Sequence, residues 1–446
     1  MSSRDLEDVE KESEADDAIV SAALGRKDVL EVGFVSTTLF ISGQIEALIV
    51  LNNVSYVPKP YHTFLLMIFF TALNIVVHTF GKRILPKLQT SSMVCHILFF
   101  FIIVTVLLVM SKKASSIFVW TNFQNNGGWN NDGISFCIGL LLPAFSISGA
   151  DGCVHMAEEV RHANRNIPKA FIWTLIINGT MAFVMVVVCV YCITDLHAVL
   201  NSRTGYPIIE IFYQATGSVA GATVLDVMMI LIMIPCSFCL GAASSRLAWS
   251  FSRENGFPGS KFMRQVGLVL EIIPTVLIAS DLKVNPRFKA PLNAIYVSVT
   301  FATLLSCIVL GSEVALDAVV SLCTIAAFAS YILPIASFTW YKLTHKDVEY
   351  GPWRMGRWGI FVNIFAICWC GFFVIILPFP TTIPVTAANM NWSGPIFLAV
   401  TLVLTADWFL RAHRQYHGPV IEIEGFSTGD EDQAAGTVTT VHSKVG

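Results

Sequence analysis

The residues of this chain best placed to do chemistry lie in one stretch, Phe145-Ser146-Ile147-Ser148-Gly149-Ala150-Asp151-Gly152. An apolar run breaks there, turns charged, and resumes at Phe171. Two glycines with Ser148 and Asp151 weaken a helix, because glycine adds backbone freedom and short polar side chains compete for backbone hydrogen bonds. Irregular backbone at membrane depth is tolerated only where it lines a buried or watered cavity. Freed amides and helix ends at such a break bind the charged groups of a small solute. Asp151 has two readings: an ionisable group inside a membrane, which marks function by default, or the residue that ends the span and opens a loop. Glu158 and Glu159 precede Arg161, Arg165 and Lys169. They read either as a solvated loop or as an acidic gate closing against basic residues.

Other candidates for chemistry are weaker. Cys189-Val190-Tyr191-Cys192 and Cys236-Ser237-Phe238-Cys239 have metal or redox spacing. Both lie within or at the end of apolar runs without acidic or histidine companions, so they read as small apolar packing residues. His155 reads as a loop histidine, with proton carriage as the sharper alternative. No HExxH or Gly-x-Ser-x-Gly pattern stands in the apolar runs, which argues against an enzyme. No metal or cofactor is implied, and no basic cluster suggests nucleic acid.

The elements that must position these residues are membrane spans. Of 446 residues 54% are hydrophobic and only 13% charged, too few to cover a soluble protein of this length. Apolar runs of about 20 residues, the length that crosses a bilayer, fall near 33–51, 62–80, 91–110, 134–152, 170–193, 222–249, 292–311, 316–341, 357–378 and 393–411. The fold class is therefore all-α and multi-span. Residues 1–30 and 412–446 read as polar tails, and 31–411 as the membrane domain. With the N-terminus in the cytoplasm, inside loops carry nineteen Lys and Arg against four outside, which predicts both ends cytoplasmic. The stretch 266–280 is apolar but short, with Glu271 and Pro274, and reads as interfacial or re-entrant. Trp340, Tyr341, Trp353, Trp358 and Trp392 fall at span ends, as an interfacial belt requires. Gly241 to Ser245 are small residues suited to close helix packing. Glu46, inside the first span, marks either a shifted boundary or a polar contact facing the bundle.

"GADGCVHMAEEVRHANRNIPKAF" at 149–171 resembles the sixth span and following loop of the amino acid–polyamine–organocation permeases. It is most similar to their fungal 4-aminobutyrate and choline permease-like branch. "TGYPIIEIFYQATGSVAGAT" at 204–223, "SSRLAWSFSRENGFPGSKF" at 244–262, "YGPWRMGRWGIFVNIFA" at 350–366 and "ILPFPTTIPVTAANMNW" at 376–392 agree. The resemblance implies two inverted five-helix repeats plus two helices, and transport of an amino acid or related amine with protons as a candidate coupling partner. Carried over, Phe145, Ser146, Ile147, Ser148, Gly149, Ala150 and Asp151 match the unwound substrate-binding segment. Glu158 and Glu159 match the acidic pair below it. The expected location is a membrane, multi-pass, with the plasma membrane ahead of an internal one.

"ISGQIEALIVLNNVSYVPKP" at 41–60 resembles the end of the family's third span, and nothing between Val32 and Ser42 resembles its first-span glycine break. The expectation is about ten spans, with the first repeat truncated by two. Three outcomes stay open: an active permease, a transport-inactive form acting as sensor or scaffold, and a gene-model artefact of a longer permease.

Overall fold

The computed structural model describes residues 33–415, apart from 82–83, 141–142, 145, 147–148, 155–159, 161, 254–255, 257–259, 261–291, 312, 346–351 and 387–388. The two tails, the stretch 266–280 and His155 lie outside the described residues. Among the described residues there are helices and no strands. The long helices are α1 (Gly33–Asn52), α2 (Pro60–Phe80) and α3 (Leu85–Met110). Short α4 (Ser116–Thr121) and α5 (Asp132–Gly139) follow, then α6 (Ala163–Tyr191), α7 (Leu196–Leu200), α8 (Pro207–Thr216) and α9 (Val219–Arg253). The rest are α10 (Leu292–Ser306), α11 (Glu313–Thr344), α12 (Gly359–Ile376) and α13 (Ser393–Asp407). Nine helical segments among the described residues are long and apolar enough to cross a membrane. Within the segment 134–152, read from sequence as one span, Pro143, Ala144 and Ser146 are helical and 141–142, 145 and 147–148 lie outside the described residues. α5 ends at Gly139, and a short 3-10 turn, Ala150–Cys153, comes later.

Chain punctuation explains where elements start. Pro60 and Pro207 open α2 and α8, where a missing N–H costs nothing. Ser115, Asn131 and Asp195 cap α4, α5 and α7 by accepting backbone N–H bonds. Gly217 closes α8 in the left-handed region, φ +64°.

Two packing groups result. In the first, α9 packs against α2, α3, α8 and α10, and α2 packs on α10. Its largest apolar cluster joins Ile103 and Leu107 of α3 to Val188 of α6, Phe212 of α8 and Leu225 of α9. In the second, α11 packs on α12 and α13, with Ile325, Phe373 and Leu377 at its centre. Leu140 and Ala144 pack against that cluster and so anchor the chain just before the break. The outward faces of α3 and α6, including Leu98, Phe101, Trp173 and Phe183, are exposed and apolar, as lipid contact requires.

Several polar residues within spans face inward. Glu46 is buried, and its Oε2 accepts a 2.8 Å bond from Thr63 Oγ1 of α2, so it is a bundle contact rather than a shifted boundary. Ala242, Ala243, Ser244 and Ser245 are buried on α9, in keeping with close helix packing. Of the paired cysteines, Cys189 and Cys192 are buried; Cys236 instead lies on an exposed face. All five belt aromatics are exposed.

The last span is tied back to the first group. Arg411, in a π-turn after α13, donates from Nε and Nη2 to the Asp407 carboxylate at 3.0 and 2.7 Å, and from Nη2 to the Gly256 carbonyl at 3.1 Å. Both side chains are partly exposed, 22% and 31%, so solvent weakens the pair. Arg411→Ala is expected to cost about 1 kcal/mol, read as a lower unfolding midpoint in detergent. An unchanged midpoint would show that the tie is decorative.

Candidate functional site

The break itself is built on Gly149. Its backbone lies at φ +93°, ψ 0°, a conformation that glycine adopts freely and other L-residues rarely do. It opens the 3-10 turn Ala150–Cys153, in which Gly152 N–H donates to the Gly149 carbonyl (3.1 Å) and Val154 N–H to the Asp151 carbonyl (2.8 Å). Just before it, Ser146 Oγ donates to the Pro143 carbonyl at 2.9 Å. The turn packs on α6.

Between the two lies a cleft of about 140 Å³, lined by Ser146, Gly149 and Ala150 on one side and by Thr174, Leu175, Asn178 and Gly179 of α6 on the other. A Cβ placed on Gly149, Gly152 or Gly179 would meet nothing within 4 Å. Of these, Gly149 and Gly179 line the cleft and add no side chain to its walls. Thr174 and Asn178 are one turn apart on one face of α6 and offer a hydroxyl and an amide. The cleft has room for several waters, the scale of a small amino acid or amine.

Of the residues that the sequence nominated, the structure brings Ser146, Gly149 and Ala150 together on the cleft. Asp151 sits on the turn, partly buried, but is not a cleft-lining residue. Phe145, Ile147, Ser148, Glu158 and Glu159 lie outside the described residues. The α6 wall was missed. Its signal was present: Thr174, Asn178 and Gly179 interrupt an otherwise apolar span at helical spacing. Among the described residues, no cluster of His, Cys, Asp and Glu could hold a metal ion.

Residues 31–403 match the amino acid permease family. The chain belongs to this family. Among similar proteins, the choline transporter of Saccharomyces cerevisiae is 32% identical over 384 residues, covering 86% of this chain and 64% of that protein. Amino-acid permease 2 of Neurospora crassa is 28% identical over 385 residues, covering 84% and 66%. The 7-keto 8-aminopelargonic acid transporter of Saccharomyces cerevisiae is 32% identical over 310 residues, covering 66% and 52%. This amino acid permease family member therefore spans about two thirds or less of the length of these relatives. The match is to permeases of the fungal branch and to transporters, not to enzymes. The expected family and the expected all-α multi-span class both hold.

Proposed function

We propose that this chain is a secondary-active permease that moves an amino acid or related amine by alternating access around the broken segment Phe145–Asp151. 4-Aminobutyrate and choline are the substrates to try first, with protons as the coupling ion. The observation that carries this reading is the cleft between the Gly149 turn and the Thr174–Gly179 face of α6. Open backbone on one wall suits a substrate carboxylate or hydroxyl through freed N–H groups. The Thr174 hydroxyl, the Asn178 carboxamide and free carbonyls suit an ammonium group. The similarity to a choline transporter and an amino-acid permease supports the same substrate class. Asp151 and the acidic pair Glu158 and Glu159 take supporting roles in this reading, at the edge of the site and at a gate.

The test is uptake by purified protein in liposomes, with labelled choline, 4-aminobutyrate and a panel of amino acids. Saturable uptake of one of them supports the reading. No uptake, counterflow or binding of any would overturn it and leave a sensor or scaffold role. The loop charges favour both ends in the cytoplasm. A tag after Gly446 that antibodies reach in intact cells would reverse that orientation.

A further inference from the structure

Asp226 has no place in the cleft, yet it is the most unusual ionisable group in the bundle. It lies on α9 within a membrane span and is fully buried, 0% exposed. Neither carboxylate oxygen has a hydrogen-bond partner among the described residues. A buried carboxylate that is charged and unpaired is strongly disfavoured, and such a group takes up a proton instead. Ionisable residues placed inside spans in this way mark proton or ion pathways.

The surroundings supply no countercharge. α9 is packed by α2, α3, α8 and α10, and α1 reaches it through Asn52 Nδ2, which donates to Thr223 Oγ1 at 3.0 Å. The titratable groups on those elements are Glu46 on α1; Tyr61, His62 and His78 on α2; Lys87, Cys95 and His96 on α3; Glu210 and Tyr213 on α8; and Tyr296 on α10. α9 itself adds Cys236, Cys239, Arg246 and Arg253. Among the described residues none of these groups bonds to the Asp226 carboxyl. Glu46 is bonded to Thr63, and Glu210 to Gln214 Nε2 at 3.3 Å. His78 meets α9 at Gly241, about 22 Å further along the helix at 1.5 Å per residue.

A solvated polar pair lies on one side. Thr223 is three residues before Asp226 on the same face of α9, and its bond with Asn52 lies at the exposed end of the bundle. One helical turn thus separates a solvated polar pair from the buried carboxyl. α3 packs against both α9 and α6, the helix that walls the cleft, and so joins the two places mechanically.

We propose that Asp226 is an intramembrane proton-binding site, neutral in this conformation, whose proton couples substrate movement to a proton gradient. In each cycle the carboxylate takes one proton from one side, moves it as the neutral acid, and releases it to the other, so charge and atoms balance. The coupling half of this proposal rests on the transport reading above.

Two measurements separate the failures. The first is infrared spectroscopy of the protein in lipid at neutral pH. The expected result is a protonated-carboxyl band, shifted in deuterium oxide, that Asp226→Asn lacks. If Asp226→Asn does not fold, Asp226→Glu must shift the band. No such difference overturns the proton site whether or not the chain transports. The second is uptake in liposomes. For one proton per substrate, one pH unit supports about tenfold accumulation. Asp226→Asn should lose that gradient-driven accumulation and keep substrate counterflow. Accumulation by Asp226→Asn equal to wild type overturns the coupling role. Absence of all transport by wild type overturns the transport reading, and with it the coupling, but leaves the infrared test standing.

Discussion

Gly149→Val is expected to lower the initial rate of substrate uptake by at least about tenfold without unfolding the protein. The space above Gly149 is open, since a Cβ there would touch nothing within 4 Å. The cost therefore comes from the backbone. At φ +93° a non-glycine residue is strained by about 1–3 kcal/mol, and a β-branched one falls at the upper end. Each 1.4 kcal/mol is tenfold in the population of the left-handed turn. The variant would relieve the strain by leaving that conformation, and the wall of the cleft would go with it. A series decides whether conformation or size is at work. Asn tolerates the left-handed region better than Ala, and Ala better than Val, so uptake should fall in the order Gly, Asn, Ala, Val. Gly152→Ala is the control. Gly152 lies outside the left-handed region and has the same open space above it. Its uptake should stay within about twofold of wild type. Equal uptake by Gly149→Val and wild type would remove the turn from the mechanism.

The same contrast shows why part of the site was legible in the sequence. A Ser-Gly-Ala-Asp-Gly run inside an apolar stretch has no cheap helical solution, so the break could be read from residue types alone. The spans were legible for an equally local reason: length and hydropathy are set by the bilayer, not by partners. The opposite wall left a signal, but not a distinctive one. Thr174 and Asn178 interrupt α6 no more conspicuously than Thr71 and Asn74 interrupt α2, and only the packing of the turn on α6 separates them. Asp226 was likewise silent. It fell inside the span read at 222–249, but a single acid in an apolar run does not say which way it faces, and only the fold of Val219–Arg253 shows it enclosed. Pairing across helices, which decides burial, leaves no trace at fixed sequence spacing.

Gly241 shows how the bundle depends on such pairing, and Gly241→Leu is expected to destabilise the protein by about 2–6 kcal/mol. Asn74 and His78, one turn apart on α2, lie directly over Gly241 of α9. A Cβ there would sit 3.0 Å from Asn74 Oδ1 and 3.3 Å from His78 Nε2. Asn74 Nδ2 also donates to Ser237 Oγ at 3.3 Å across the same interface and to its own Phe70 carbonyl at 3.1 Å. In lipid there is little hydrophobic drive between helices, so close backbone approach and polar contacts must hold them. The space at the contact is a cavity of about 10 Å³, bordered by Asn74, His78, Ser244 and Ser298, about the size of one water and far too small for four added carbons. Overpacking costs about 1–3 kcal/mol, and separating Asn74 from Ser237 strands buried polar atoms for about 1–3 kcal/mol more. Against a typical stability of about 5–15 kcal/mol, that is enough to lower the yield of monodisperse protein as well as the unfolding midpoint. Gly241→Ala should cost less, because one methyl group asks the Asn74 carboxamide to give by only a few tenths of an ångström. Asn74→Ala on its own removes the bond to Ser237. Combined with Gly241→Ala it also removes the atom in the way, so the double variant should be more stable than the sum of the two losses predicts. Strict additivity in that cycle would mean that Asn74 and Gly241 do not share the contact. The closeness of α2 and α9 would then have to be carried by the apolar residues beside them, Phe70 and Ile230.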